Sequence, residues 1–406
     1  MPNEKRADRP LRIAVFSRYS LADQYDLAAE FRDMLAELAG RGPVLHLSLR
    51  GPKTPEADDI PPGLVIDELP VSINRNNPKD MLLKSLMLYA VLPMAALRLR
   101  KFKPDLIFLS EILPLAGLFF KIFCRARVAT AYGDWHIHNM LGRAKWSVPI
   151  LKMIEKLDRL EALRLDGFFC RAATAGERLK SWGVKPERIR IVRDTPDPDA
   201  FYPREQKELR HKMGFKDNDI VLLYHGVMHQ GKGLDKLLLW TNDLYRENPN
   251  IGIILVGGGP EQTALKKLAA GLALGCRAVF TGWLKTIKEV GDYCNAADIC
   301  IAMRTATEAN DRVVPGALLH SMACRKIVIG PALSGIAEIL VHGRNGFMFR
   351  PDDGEDFKAL IRKLILNRGE WPAVAEQAWR DIQEKHSVAA TARLYAQALD
   401  HFAGMQ

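Results

Sequence analysis

The stretch that decides the fold is residues 251–303, IGIILVGGGPEQTALKKLAAGLALGCRAVFTGWLKTIKEVGDYCNAADICIAM. Its apolar, β-branched run 251–256 predicts a strand that is buried on both faces of a sheet. The glycines at 257–259 predict a tight turn into a helix, and further short strands are predicted over 278–281 and 298–303. This alternation of strands and helices predicts a doubly wound α/β domain with a parallel sheet.

The turn after the first of these strands contains Gly257, Gly258 and Gly259. Glycines at a strand end let the backbone approach a ligand closely, and the helix that follows favours a phosphate at its N-terminus. A tight connection that binds nothing explains the turn by itself equally well. The ordered series of strands and helices is therefore more informative than the turn alone.

The length and composition predict two globular domains. A chain of 406 residues exceeds one ordinary domain and fits two of about 200 residues each. Alternating strand and helix patterns run through both halves, so we expect two doubly wound sheets. The prolines at 196, 198 and 203 predict a linker between the halves. Residues 50–80 are rich in Pro, Asn and Asp, which predicts a loop-rich stretch there.

The positive charge lies in the first half. Residues 1–193 carry 32 Lys and Arg against 22 Asp and Glu, whereas the remainder carries 26 of each. This asymmetry indicates that the first half meets an anionic partner: an acidic membrane surface, a phosphate-bearing acceptor or nucleic acid. No recognisable nucleic-acid module is present, which disfavours nucleic acid. An ordinary solvated basic face is the alternative.

Two apolar runs, 85–97 and 112–120, are each followed by basic residues. Both are shorter than the roughly 18–20 residues that span a bilayer. Each run is either a core helix or part of a domain that rests on an anionic leaflet. The polar N-terminus is no signal peptide, and the six scattered cysteines are expected to be reduced thiols, so we expect a cytoplasmic protein.

Four stretches resemble a known family. They are FKPDLIFLSE (102–111), RIRIVRDTPDPDAFYP (188–203), LLYHGVMHQGKGLDKLL (222–238) and LSGIAEILVHGRNGFMFRPDD (333–353). Together with residues 251–303 they resemble the glycosyltransferases of GT-B fold, specifically glycosyltransferase family 4. The last stretch is the most specific, because it resembles the Gly-x-x-Glu-Ile…Gly-x-x-Gly…Pro-x-Asp signature of that family. The resemblance covers nearly the whole chain.

The resemblance implies two Rossmann-like domains that face a cleft. Residues 1–195 would bind the acceptor, residues 196–385 would bind the nucleotide sugar, and a helix in 386–406 would pack back onto the first domain. The implied activity is retaining, metal-independent transfer of a sugar from a nucleotide-diphosphate donor to a lipid-linked or polysaccharide acceptor. The implied place is the cytoplasmic face of the membrane, in cell-surface glycan assembly. No cofactor is expected beyond the co-substrate.

Lys232 is the leading candidate for a catalytic residue. Transfer without a metal requires cationic side chains and backbone N–H groups to stabilise the leaving diphosphate. Lys232 lies between Gly231 and Gly233, in a loop that also contains Gly226, and the glycines allow close approach of the backbone to a donor. A solvent-facing lysine in an ordinary loop is the alternative.

The chain departs from the family at several positions. Val227 stands where relatives usually carry an Arg. Aligning residues 327–329 with the family ending places Arg312 at the first Glu of Glu-x7-Glu and His320 at the second, which normally holds the ribose hydroxyls. A neutral imidazole cannot offer two carboxylate oxygens to a diol. We therefore expect weaker binding of the nucleotide or a different position for it.

Neighbouring residues supply substitutes. Glu308 is a candidate for the missing sugar-contacting acid, as is Asp311, while Arg304 and Arg312 are candidates for binding phosphate. An exposed polar loop is the alternative for these residues.

The remaining candidates lie at two further places. Ser334 and Gly335 are expected to offer N–H donors to the diphosphate at a helix start, with Glu338 either beside the donor or simply a first-turn acid. In the first domain, Asp134 and His136 follow a strand and are expected to meet the sugar or the acceptor. No metal site is expected, because His136 and His138 lack a third ligand.

Two rival functions remain open. The altered residues Val227, Arg312 and His320 also fit a non-catalytic GT-B protein that binds or regulates a true transferase. A third possibility is a GT-B hydrolase or epimerase of nucleotide sugars. Turnover of a nucleotide sugar separates an enzyme from a scaffold, and release of free sugar without an acceptor separates a hydrolase from a transferase.

Overall fold

The chain divides into two compact units. The computed structural model describes residues 9–17, 20, 28–50, 60–71, 81–110, 113–132 and 148–404, which are called the described part of the chain below. Unit 1 is formed by Met1–Arg193 and Ala389–Gln406, and unit 2 by Asp194–Val388. None of the helices in the described part is long and apolar enough to cross a lipid bilayer.

Unit 1 contains a seven-stranded parallel sheet of order β3-β2-β1-β4-β5-β6-β7. Its strands are β1 (Ile13–Ser17), β2 (Val44–Leu49), β3 (Leu64–Leu69), β4 (Leu106–Leu109), β5 (Arg127–Tyr132), β6 (Gly167–Cys170) and β7 (Ile189–Ile191). The described helices between them are α1 (Ala28–Ala39), α2 (Met81–Phe102), α3 (Ala116–Cys124), α4 (Val148–Ala162) and α5 (Ala173–Ser181). Every residue of β1, β2, β4 and β6 is buried, as expected for strands that are covered on both faces.

The stretch 50–80, which was predicted to be rich in loops, also contains the strand β3, which the sequence patterns did not indicate. This strand pairs in parallel with β2 at one edge of the sheet, and its central residues are partly exposed. Its sequence LVIDEL therefore lacks the continuous apolar run that identifies the buried strands.

The apolar run 85–97 lies within α2. The buried side of α2 belongs to the core of unit 1 and consists of Leu88, Val91, Leu92, Ala95, Ala96 and Leu99. Pro93 lies inside this helix on its exposed side. The run is therefore a core helix that also has a solvent-facing side.

Unit 2 contains a six-stranded parallel sheet of order β10-β9-β8-β11-β12-β13. Its strands are β8 (Ile220–His225), β9 (Ile251–Val256), β10 (Ala278–Gly282), β11 (Ile299–Ile301), β12 (Ile327–Pro331) and β13 (Phe347–Phe349). Its helices are α6 (Lys207–Lys212), α7 (Leu234–Glu247), α8 (Gln262–Ala270), α9 (Ile287–Ala296), α10 (Glu308–Asp311), α11 (Gly316–Ala323), α12 (Ser334–Ala337), α13 (Gly354–Leu366) and α14 (Trp371–Lys385). The strand order reverses between β8 and β11. The carboxyl edge at such a point is where open α/β sheets bind ligands.

The last described helix, α15 (Val388–Gly404), packs on unit 1 although it follows unit 2 in sequence. Tyr395 and Phe402 contact Phe169 of β6, with ring centroids 4.8 and 5.5 Å away. A Cβ added to Gly167 would lie 2.2 Å from the Phe402 ring, so only glycine fits at that position. The helix thus completes the core on one face of the first sheet.

Candidate functional site

The candidate site begins where β8 ends, at the carboxyl edge of the second sheet. The strand is fully buried up to His225 and is followed by Gly226, whose φ of 136° favours glycine. A short 3₁₀ turn, Gln230–Lys232, then leads into α7 through Gly233, which has a φ of 62°. The turn of Lys232 therefore lies directly before a long helix, where backbone N–H groups favour a negative charge.

The three glycines after β9 interlock with the loop after β8. Met228 N donates to Gly258 O at 2.8 Å, and Glu261 N donates to Met228 O at 3.1 Å. A Cβ on Gly257 would lie 2.4 Å from Gly226 O, and one on Gly259 would lie 2.4 Å from Met228 O. Packing between the two loops therefore accounts for these two glycines. The expectation that they approach a ligand stays a prediction.

The Lys232 turn is held from the loop after β11. Asn310 Nδ2 donates to Gly231 O at 2.8 Å, and Thr305 donates to the same oxygen through its N at 3.2 Å and its Oγ1 at 3.0 Å. Asn310 Nδ2 also lies 3.0 Å from Thr305 O. Because Asn310 is buried, these bonds are shielded from water and fix the position of the turn.

Arg304 joins the same network. The Nη1 of Arg304 donates to Asn310 Oδ1 at 3.1 Å, so Asn310 connects the guanidinium to the carbonyl of Gly231. Arg304 also acts on Tyr224 of β8, because its positive charge partly offsets the burial that raises the pKa of that phenol. The structure thus links Arg304, one of the predicted cations, through Asn310 to the turn that contains Lys232.

Glu308 and Arg312 are placed differently. They form an ion pair across one turn of α10, with Arg312 Nη2 3.1 Å from Glu308 Oε1. The Glu308 side chain is 84% exposed and that of Arg312 is 52% exposed. Exposed pairs of this kind contribute little to stability, and neither group belongs to the hydrogen-bond network around Asn310 given above.

His320 lies in a stack of three rings. Its ring, on α11, is parallel to Phe201 at 4.0 Å and 6°, and His225 follows at 5.5 Å and 14° from His320. Within the described part of the chain, Nε2 of His225 and Nδ1 of His320 are buried without a hydrogen-bond partner. The residue that the family resemblance aligns with a ribose-binding carboxylate is therefore part of an aromatic stack, and two ring nitrogens of this stack have no hydrogen-bond partner in the described part of the chain.

Both imidazoles are held neutral at physiological pH. The pKa of His225 is lowered to about 4, mainly by burial and to a smaller extent by the charge of Lys232, while a hydrogen bond with the Ala317 backbone acts in the opposite direction. Burial, and the neighbouring His225, lower the pKa of His320 well below its usual range. A neutral imidazole has one donor and one acceptor nitrogen, so the pair can bind hydroxyl or amide groups but cannot balance a charge.

The predicted helix start at residue 334 is already occupied by a side chain. Ser334 donates from its N to Asp311 Oδ1 at 2.9 Å and from its Oγ to Asp311 Oδ2 at 2.8 Å. A Cβ on Gly335 would lie 2.4 Å from Val313 O, so its glycine is required by packing. Glu338 is half-buried at the end of α12. A diphosphate at this position would have to replace the Asp311 carboxylate.

The acceptor-side predictions, Asp134 and His136, lie outside the described part of the chain. Among the described residues, no group of three or more His, Cys, Asp or Glu side chains could hold a metal ion.

Sequence reasoning missed three contributors to the site: Thr305, Asn310 and the pair of Phe201 with His225. Phe201 and His225 were both inside motifs that resemble the family, but their contact with His320 joins residues far apart in sequence. Asn310 contacts Gly231 across 79 residues, and no local pattern around it indicates that role.

Comparisons with known proteins identify relatives of this chain and solved structures that share its fold. Residues 205–381 match the model of the family described as glycosyl transferases group 1. Sulfoquinovosyl transferase SQD2 of Arabidopsis thaliana is 26% identical over 307 residues, which cover 73% of this chain and 56% of that protein. The chain spans about half the length of the curated relatives it matches.

Solved structures extend the likeness to nearly the whole chain. Anabaena HepE in complex with UDP is 16% identical, with a TM-score of 0.71 over 96% of this chain and 99% of HepE. WaaG, a glycosyltransferase involved in lipopolysaccharide biosynthesis, is 17% identical, with a TM-score of 0.65 over 97% and 100%. The predicted fold of two doubly wound Rossmann-like domains is confirmed. Residues 205–381 are similar to the glycosyl transferases group 1, and the chain has the GT-B fold.

Proposed function

We propose that the protein transfers a sugar from a nucleotide-diphosphate donor to a lipid-linked or polysaccharide acceptor without a metal ion. One observation carries the proposal: Lys232, in a glycine-flanked turn that Asn310 and Thr305 fix at the carboxyl edge of a group 1 domain. The retaining outcome rests only on the resemblance to glycosyltransferase family 4.

Lys232 and Arg304 are assigned to the phosphate end of the donor. As the bond between the sugar and the diphosphate breaks, negative charge grows on the leaving oxygen, and a fixed ammonium stabilises it without reorganisation. Arg304 reaches the same turn through Asn310 and adds a second positive charge. Asp134 and His136 remain the proposed residues on the acceptor side.

The nucleoside end is assigned to the ring stack. His225 and His320 offer hydrogen bonds through neutral ring nitrogens, which suit hydroxyl and carbonyl groups of a nucleoside. HepE, which shares the fold, was crystallised with UDP, and this supports a nucleotide as the ligand. The description of WaaG, together with the basic first half of this chain, supports a lipid-linked acceptor at the cytoplasmic membrane face.

A thermal-shift panel with UDP, GDP, ADP, CMP and their sugars tests the donor assignment. A ligand that binds only the native state raises the melting temperature according to its affinity. We expect one nucleotide diphosphate and its sugar to raise it, and turnover of that sugar to persist in EDTA. Activity that is lost to EDTA and restored by Mg²⁺ or Mn²⁺ would contradict the metal-free mechanism.

A second candidate function is a non-catalytic partner of a true transferase. The specific observation in its favour is the neutral ring stack in place of the ribose-binding carboxylate, together with the exposed Glu308–Arg312 pair. Such a protein would give no thermal shift with any nucleotide in the panel and no turnover. A shift without turnover, on every acceptor tested, would also favour this function over the transferase.

A further inference from the structure

Helix α4 presents a continuous surface of basic and apolar side chains to solvent. Seven exposed residues from the described part of α4 and the turn after it form this surface, called the α4 stripe below: Lys152, Met153, Lys156, Arg159, Leu160, Leu163 and Arg164. At about 100° per residue they fill one arc of about 140°, so they lie on a single side of the helix. Within the described residues, no carboxylate interrupts the arc.

The carboxylates of α4 are turned away from the stripe. Glu161 is buried, and its two oxygens accept hydrogen bonds from Leu115 N and Leu118 N at the start of α3. Asp158 lines a small cavity with Glu161, and Glu155 forms an ion pair with Arg178 of α5. The acidic side chains therefore anchor the helix to unit 1, and the outward field of the stripe is positive.

The apolar members of the stripe are unusually exposed for their type. Met153 is 56% exposed, Leu160 42% and Leu163 43%. Cations alone would suit any polyanion, including nucleic acid. Large apolar side chains placed between the cations gain no favourable free energy from contact with a phosphate backbone. They do gain it by leaving water and entering the boundary between lipid headgroups and acyl chains.

We infer that the α4 stripe is the element that docks unit 1 on an anionic lipid surface. The inference rests on the proposed membrane-side acceptor, and it assigns the contact to α4, which the sequence patterns did not indicate. The cations are attracted to acidic headgroups, and Met153, Leu160 and Leu163 insert beside them.

Co-sedimentation of the whole protein with vesicles tests the inference. The vesicles are phosphatidylcholine alone or phosphatidylcholine mixed with phosphatidylglycerol. A triple variant, Lys152→Gln, Lys156→Gln and Arg159→Gln, should bind the mixed vesicles about 100-fold more weakly, since each cation near an acidic surface contributes roughly fivefold. A second variant, Leu160→Gln with Leu163→Gln, should also bind more weakly, at any salt concentration.

The matched control removes the same charge from unit 2. Lys266, Lys267 and Lys363 are exposed there, and changing all three to Gln should leave vesicle binding within about twofold of wild type. Each variant is also titrated with the nucleotide from the thermal-shift panel, which reports a folded donor domain independently of the membrane.

Four outcomes would overturn the inference. In the first, the α4 triple variant binds mixed vesicles as well as wild type does, and in the second, the wild type binds neutral and anionic vesicles alike. In the third outcome, a single-stranded oligonucleotide displaces the wild-type protein from the vesicles. In the same outcome, the variant with Leu160→Gln and Leu163→Gln binds the vesicles as well as wild type does. A wild type that sediments with no vesicle, yet keeps its nucleotide shift, would overturn the membrane contact and leave the donor assignment intact.

Discussion

The two ends of the candidate donor site differ in how they are built. At one end, the Lys232 turn is fixed by buried hydrogen bonds from Asn310 and Thr305 to Gly231 O. At the other end, His320 is placed by ring stacking on Phe201 and His225, and two ring nitrogens are left without partners in the described part of the chain. Internal hydrogen bonds hold the turn at the proposed phosphate end, whereas the proposed nucleoside end has unused hydrogen-bonding capacity.

This difference indicates where a ligand would contribute most. A buried polar atom without a partner costs free energy, and a ligand that supplies the partner recovers it. If the donor binds as proposed, the positive charge at the phosphate end acts mainly on the transition state. Under the same proposal, the unpartnered nitrogens at the nucleoside end act on affinity and on the choice of nucleoside.

The largest effect is expected at the phosphate end. Lys232→Ala should lower the rate of transfer by about 10²-fold or more, because it removes charge stabilisation of the leaving diphosphate. Nucleotide affinity should fall much less than the rate. Steady-state kinetics with the native donor measures both, and Lys267→Ala on an exposed side of α8 is the control. Near wild-type activity in Lys232→Ala would remove this residue from the mechanism.

The next effect is expected at the nucleoside end. His320→Glu should destabilise the protein by about 2 kcal/mol, because a carboxylate loses the stack and is partly desolvated there. It should also lower activity, since the new charge repels the diphosphate. His320→Phe keeps the stack, so it should cost less than about 1 kcal/mol of stability and weaken nucleotide binding by about fivefold.

Thermal unfolding and nucleotide titration of both His320 variants check this prediction. The decisive contrary result is a wild type that binds no nucleotide beside a His320→Glu variant that binds one. That pattern would identify a decayed site and favour the non-catalytic function.

A smaller effect connects the two ends. Asn310→Asp keeps the oxygen that accepts from Arg304 but loses the Nδ2 donor to Gly231 O, so the turn should loosen. We expect a loss of about 1–2 kcal/mol in stability and about tenfold in kcat/KM. Urea unfolding and kinetics are compared with Asn367→Asp, an exposed site at the end of α13. Equal effects at both positions would show that Asn310 does not support the turn.

The last effect is in the pH dependence of stability. Burial lowers the pKa of His225 to about 4, below the unfolded value of about 6.5, so the unfolded chain binds a proton first as the pH falls. The stabilising contribution is complete above about pH 6.5 and is lost towards about pH 4, at up to about 1.4 kcal/mol per pH unit. Burial raises the pKa of Asp158 to about 6, which acts in the opposite direction.

Urea unfolding of wild type and His225→Phe between about pH 7 and pH 5 isolates the histidine, because Asp158 is common to both. The stability of the variant should fall less steeply with acidification. Parallel curves would mean that His225 is not held neutral by the fold.

The sequence predicted the fold class and most of the buried strands, because strands that are covered on both faces carry continuous apolar runs. Strand β9 has the predicted limits, whereas the partly exposed β3 was missed. The Lys232 turn was found because its glycines and its lysine are adjacent in sequence. Asn310 and the Phe201–His320–His225 stack were not found, because those contacts depend on tertiary packing that no local pattern records.

The placement of α15 has a consequence for the order in which the protein can form on the ribosome. Unit 1 depends on Tyr395 and Phe402 to cover Phe169, and these residues are synthesised only after all of unit 2. One apolar face of the first sheet therefore stays uncovered until the whole of unit 2 has been synthesised. Chaperones that shield exposed hydrophobic surface have their longest window of action on the half of the chain that is made first.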